Sequence, residues 1–339
     1  MVYFGEYLKD YLESVNISQS EFALRLGITQ KHMNEIINGK KNITLEMASN
    51  IERLTKIPGS FIMSIERDRI LYDELMQIYK TEQALDEEIK KKYCFKELVK
   101  NNWIKFKDKY NVFQNTVDIL DFLNVKDFKV LEKLKEYVLF KKNGEDYNKL
   151  ALWIARCDQL CETQKVNIYD SNKFNELINE LKDYSYKKGF ELPKIQEILN
   201  NYGIYFICEK ALPGTKVRGC FKVRNTIPAI YITGNYASKD SLYFELFHEL
   251  GHCKSDYTIA RSKVLADGDE EREKRADEFA IKTMIDENVW NKIIENLTED
   301  NIIKISKNDK ISPSFIVGRL AKNRYIKYDG ELYNKYRYI

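Results

Sequence analysis

With 339 residues, 44% of them hydrophobic and 32% charged, the chain is long enough for two or three domains and apolar enough to fill their cores, which excludes wholesale disorder. Its 55 basic and 52 acidic residues leave a net charge of +3, so charge alone singles out no class of partner. The six cysteines (94, 157, 161, 208, 220 and 253) include no C-x-x-C pair and read as reduced thiols of a cytoplasmic protein.

The opening residues, MVYFGEYLKDYLESVN, are charged from Glu6 onward, which argues against a secretory signal. No stretch approaches the roughly 18–20 apolar residues of a membrane span, so no membrane association is expected. Residues 17–41 then read ISQSEFALRLGITQKHMNEIINGKK. Ser18 and Glu21, three apart at a helix start, form a capping box. Phe22, Leu26, Ile28, Met33 and Ile36 are spaced to bury two short helices on each other, with the small Ala23 where they cross. Gly27 can take φ > 0 at the tight turn between them. The second helix, Thr29 to about Asn38, exposes Gln30, Lys31 and Asn34. Gln and Asn can pair bidentately with adenine edges, and Lys can reach guanine or phosphate. Residues 1–60 hold seven basic and seven acidic side chains, a balance that also suits a solvated helical bundle, although 29–41 is locally basic.

Over residues 7–63 this pattern resembles the XRE/Cro-type helix-turn-helix of the HigA-like antitoxin group. SQSEFALRLGITQKHMNEIINGKKNITLEMASNIERL carries the resemblance, with its Gln19-Ala23-Gly27 skeleton. The resemblance implies a five-helix module whose second motif helix, bearing Gln30, Lys31 and Asn34, enters the major groove. Gln19 and the Lys40–Lys41 loop would touch phosphates. Because one recognition helix covers only a half-site, a homodimer on a double-stranded DNA operator is expected.

From Asp68 to about Phe190 helical periodicity dominates. Helices are expected at Ile70–Tyr93, Asn115–Leu123, Phe128–Phe140, Lys149–Gln164 and Lys173–Lys187, with breaks near Lys142-Asn143-Gly144-Glu145 and at Pro193. No motif here carries chemistry. The period then changes: Gly203–Glu209, Val217–Val223 and Pro228–Gly234 are short, β-branched and aromatic, as strands are. Helix returns at Ser238–Cys253 and Asp269–Met284, and again after Ser312-Pro313. The chain thus reads as mainly α with an α+β C-terminal part built on a small sheet.

Within the Ser238–Cys253 helix stands HELGH, residues 248–252. Side chains at i and i+4 share one helix face, so His248 and His252 can point two imidazoles at one ion. Glu249, one step round, suits a general base beside a metal-activated water, and Gly251 leaves room for a close approach of backbone or substrate. A third ligand is needed. Glu273 and Asp277 are again four apart; Glu273 is the candidate ligand, and Asp277 is placed to accept the second N–H of a ligand imidazole. Glu271 and Glu278 compete as carboxylates, but neither has an acidic i, i+4 partner followed by Phe-Ala. A solvated charged helix remains the bland reading of this segment, and Cys253 reads as a small apolar helix residue more readily than as a redox-sensing thiol.

Residues from about 190 to 320 resemble the ImmA/IrrE metallopeptidase family through GIYFI, LPGTKVRGCF, IPAIYIT, FELFHELGH, EKRADEFA and SPSFIVGRL, in family order. The resemblance implies a gluzincin-like domain holding one Zn²⁺ per chain through His248, His252 and Glu273, with Glu249 as catalytic acid/base. It departs at Ser312, where relatives often carry His. The two resemblances divide the chain into a DNA-binding module (1–67), a helical connector (68–190) and a zinc metallopeptidase domain (191–339). They imply a regulator that binds DNA and hydrolyses a peptide bond in a protein substrate, a repressor or a toxin partner. The alternative is a non-catalytic HigA-like antitoxin or repressor that uses the zinc domain as a sensor or protein-binding module.

Overall fold

Ser18, Thr29 and Thr44 each accept the backbone N–H three residues ahead, of Glu21, His32 and Met47, and these caps start three consecutive helices. The computed structural model describes residues 3–105, 111–140, 146–187, 189, 191–234, 238–266 and 269–338; the break expected at 142–145 lies outside them. Two compact units emerge, one of residues 1–91 and 107–116, the other of residues 92–106 and 117–339.

In the first unit, α1 (Phe4–Ser14), α2 (Gln19–Leu26), α3 (Gln30–Ile37), α4 (Leu45–Thr55) and α5 (Gly59–Tyr79) enclose Phe4, Leu8, Phe22, Met33, Ile51 and Ile62. Each such large side chain contributes roughly 1.5–3 kcal/mol when fully buried. Gly27 ends α2 at φ +73°, the left-handed conformation that the turn into α3 requires. α5 runs on past residue 67 to Tyr79. The single helix expected over Ile70–Tyr93 is in fact two. Lys80 takes φ +66°, and the Thr81 hydroxyl accepts the Ala84 N–H to start α6 (Glu82–Lys92). The apolar period continues across this join, which is why periodicity alone missed it.

The second unit contains α7 (Phe95–Lys100), the C-terminal part of α8 (Val112–Leu123), α9 (Phe128–Leu134), α10 (Tyr147–Cys161), α11 (Phe174–Tyr186) and α12 (Leu192–Asn201). Beyond them come α13 (Lys239–Ser255), α14 (Tyr257–Ala260), α15 (Glu270–Met284), α16 (Glu287–Glu295), α17 (Glu299–Asp309), α18 (Pro313–Lys322) and α19 (Glu331–Tyr336). Among the described residues its sheet has five strands: β1 (Val138–Phe140), β2 (Tyr205–Cys208), β3 (Gly219–Arg224), β4 (Ile227–Ile232) and β5 (Val264–Ala266), in the order β1-β5-β3-β4-β2. β3 is antiparallel to β4 and to β5, while β1–β5 and β2–β4 are parallel. Asn225 and Thr226, both at positive φ, make the two-residue turn of the β3–β4 hairpin. The helix expected over Phe128–Phe140 is therefore corrected: it stops at Leu134, and Val138–Phe140 pairs with Val264–Ala266 instead. Strands of three residues are too short to show a period of two. Pro193 lies in the first turn of α12, where its missing N–H has no intrahelical partner to lose.

Asp158 on α10 binds the sheet through Lys222 (3.0 Å), Arg224 (2.6 Å) and the Tyr231 hydroxyl (2.7 Å). On the sheet face that α13 covers, Phe206, Phe221, Ile230, Leu246, Phe247 and Leu250 are among the residues of one continuous core. Among the described residues no helix is long and apolar enough to cross a membrane, and all six thiols are free.

Candidate metal centre and nucleic-acid interface

α13 packs on β3, β4, α15 and α18, so almost its whole circumference is buried. That burial turns a polar pair into a constrained site, since an imidazole without water must find its partners in the protein. Gly251 sets the distance to α15. A Cβ there would stand 3.0 Å from the Ala276 Cα and 3.3 Å from the Phe279 ring, so the close approach that Gly251 permits is that of a neighbouring helix backbone. This approach carries Glu273, on the first turn of α15, to the two histidines.

His248 and His252 are 7% and 2% exposed. Their Nε2 atoms are 3.2 Å apart; Glu273 Oε2 lies 3.2 Å from His248 Nε2, and Oε1 lies 3.4 Å from His252 Nε2. Zinc bonds of about 2.0–2.1 Å in a tetrahedron put donor atoms about 3.3 Å apart, close to the separation of the two Nε2 atoms and to the distance from each of them to its nearer Glu273 oxygen. The other ring nitrogens are engaged. His248 Nδ1 meets Asp277 Oδ1 and His252 Nδ1 meets Asp256 Oδ2, each at 2.8 Å, which leaves both Nε2 atoms facing Glu273. The donor set therefore fits a metal ion, all three donor atoms lying within 4.8 Å of one another.

Burial opposes the charged form of His248, but hydrogen bonds to Asp277 and Glu273 outweigh it and push the imidazole up to about 11. In His252 burial is likewise outweighed, by Asp256 and Glu273, and the ring rises to about 9. Burial also acts to raise the Glu273 carboxyl, yet its bonds to the two imidazoles hold it well below the usual carboxylate range. The surroundings are thus strongly cation-seeking.

Glu249 is 3% exposed, and its Oε2 is buried without a hydrogen-bond partner. Burial pushes this carboxyl well above its ordinary range, with the two histidines pulling it back in part. It fits against β3 only because residue 219 is glycine: a Cβ there would stand 2.4 Å from Glu249 Oε1 and 2.9 Å from Glu245 Oε1. An unpartnered buried carboxylate oxygen beside a cluster of metal-type donors is set up to take a proton.

Of the competing carboxylates, Glu271 and Glu278 both lie exposed, and Glu278 faces Lys282 at 3.9 Å. Asp256 escaped the sequence reading although its four-residue spacing from His252 was visible. It follows the last residue of α13 and reads as loop. Cys253 is buried, its thiol pushed up to about 12 by desolvation, which suits a packed helix residue and not a reactive thiol. Ser312 is fully buried before α18.

In the first unit, Gln30 and Asn34 share the exposed face of α3 with Lys31 beside them, while Met33 and Ile36 face the core. Lys40 and Lys41 are exposed in the loop after α3, and Gln19 is half-buried at the start of α2. These positions leave α3 free to present polar side chains to a groove. No curated protein matches the chain. Residues 8–62 match the family model for the helix-turn-helix, which makes this part of the chain a helix-turn-helix module and supports a DNA-binding transcriptional regulator.

Proposed function

We propose that the chain is a DNA-binding regulator whose C-terminal unit is a zinc metallopeptidase of the ImmA/IrrE type, acting on a peptide bond of a regulatory protein. The observation that carries this reading is the His248–His252–Glu273 triangle, with the unpartnered Glu249 oxygen buried beside it. A zinc ion held there would supply Lewis acidity, polarising the peptide carbonyl and easing deprotonation of a water molecule. Glu249 takes that proton, its raised affinity for it matching a base that later returns it to the leaving amine. Asp277 and Asp256 hold the two rings in the tautomer that keeps Nε2 free.

Terminal-peptide labelling of cells expressing wild type or Glu249→Gln tests this. New N-termini in a regulatory protein are expected with wild type and not with the variant, which keeps its zinc and its fold. Identical termini in the two strains would sink the peptidase reading. One observation favours the second reading, a non-catalytic HigA-like antitoxin or repressor with a metal-stabilised sensing module: both histidines and Glu249 are buried.

A further inference from the structure

Glu66 and Arg69 lie on α5 just beyond the matched helix-turn-helix residues. They are 3% and 5% exposed, a rare place for two charges. Arg69 Nη2 and Nε approach Glu66 Oε1 and Oε2 at 2.6 and 3.3 Å, and Nη1 reaches Asp73 at 2.8 Å. The same guanidinium donates to Asn42 Oδ1, while Glu66 Oε1 accepts the backbone N–H of Ile43 at 3.1 Å. Consecutive residues of the loop after α3 are therefore gripped by two side chains one helical turn apart. On the loop's other flank, Gly39 (φ +66°) lies against the Tyr3 ring, where a Cβ would come to 3.2 Å. Between these two anchors stand Lys40 and Lys41, both exposed.

A buried ion pair gains little net stability over well-packed apolar residues of similar size, so stability is a weak reason for this one. Its visible effect is geometric. Arginine's planar fork serves Glu66, Asp73 and Asn42 at once, which a lysine ammonium on a flexible stem does not. We infer that the Glu66–Arg69 pair is a positioning device for DNA binding: it pre-orders the Asn38–Ile43 loop so that Lys40 and Lys41 meet the phosphates of duplex DNA already in place. The inference rests on the reading of that loop as a phosphate contact. Neither Glu66 nor Arg69 needs to touch DNA; they lower the ordering cost that a mobile loop carries into binding.

The test is anisotropy binding of the full-length chain to a mixed-sequence DNA duplex across a range of salt concentrations. Arg69→Lys is measured alone and in a Lys40→Ala/Lys41→Ala background. It keeps a cation beside Glu66, and a thermal melt checks the fold. The lysine pair variant is expected to lower the slope of log K against log salt by about 1.8, at about 0.9 per phosphate contact. Arg69→Lys should weaken binding about three- to tenfold in the parent, and not further in the lysine-free background. Asn42→Ala, which removes the loop's end of the bond at an exposed residue, should show the same background dependence. Unchanged binding by Arg69→Lys and Asn42→Ala, or an equal loss in both backgrounds, overturns the positioning role. If the lysine pair variant itself keeps wild-type affinity and slope, the phosphate-contact reading is wrong and the inference falls with it.

Discussion

Asp256 accepts the Nδ1–H of His252 at 2.8 Å, one helical turn further along the chain, and is itself held from α15 by Arg275 at 3.2 Å. Burial acts to raise this carboxyl, but His252 and the two arginines Arg275 and Arg272 keep it below its ordinary value. It is therefore an anion at neutral pH, fixed on both sides and aimed at one imidazole. Its removal frees the ring to rotate and lets the other tautomer form. Asp256→Ala is expected to lower zinc affinity about 10- to 100-fold, measured by competition against a chromophoric chelator. Wild-type affinity in the variant would remove Asp256 from the centre.

Gly219 lies where strand and helix nearly touch. In Gly219→Ala the new methyl group overlaps Glu249 Oε1 and crowds Glu245, and the β3 backbone has little room to retreat between two neighbouring strands. The expected cost is about 1–3 kcal/mol in denaturant unfolding. On the proposed peptidase reading, activity should fall more than zinc content, because the displaced group would be the base and not a ligand. Equal loss of metal and activity would contradict this separation.

For the first unit, Gln30→Ala with Asn34→Ala removes the two amides from the exposed face of α3 and leaves Met33 and Ile36 in the core. Selection from a random duplex pool should return a sequence preference with wild type and a weaker one with the variant, each bidentate contact being worth about 1–3 kcal/mol of discrimination. The melting temperature should stay near that of wild type. An unaltered preference would move base reading to another element.

Lys239 is 1% exposed and donates one Nζ proton to the Ser185 carbonyl, and desolvation lowers its pKa to about 8. The unfolded side chain titrates near 10.4, so between about pH 8 and 10.4 the unfolded chain holds a proton that the folded chain lacks. Over that window this residue's contribution to stability rises with pH; below it, both states are protonated and the desolvation cost of the charge is at its full value. The stability of Lys239→Met relative to wild type should therefore be most favourable near pH 7 and decline toward pH 10, by up to about 1.4 kcal/mol per pH unit. Denaturant midpoints of both proteins across this range give the difference; a flat difference would mean that Lys239 titrates normally.

Much of the centre was legible because its parts are local. His248 and His252 share a helix face by spacing alone, and the Glu273/Asp277 pair shows the same spacing on a second amphipathic helix. The capping residues and Gly27 likewise act within a few positions of themselves, so the helix-turn-helix could be read before any packing was known. Asp256 was hidden because a residue just past a helix end looks like loop. The short strands β1 and β5 carry too few residues for a period; β1 exists as the partner of β5, and β5 as the partner of β1 and β3.

The amino-acid sequence by itself determined the helices with strong periodicity, their caps, and which side chains share a face, since these depend on interactions within one or two turns. Only the tertiary structure decided how closely α13 and α15 approach across Gly251, and that Gly219 seats Glu249 against β3. It also decided that Glu66 and Arg69 reach back to the loop after α3. Each of these is a contact between distant parts of the chain. Such a contact is set by the shape of the packed surfaces on both sides, which no local spacing encodes.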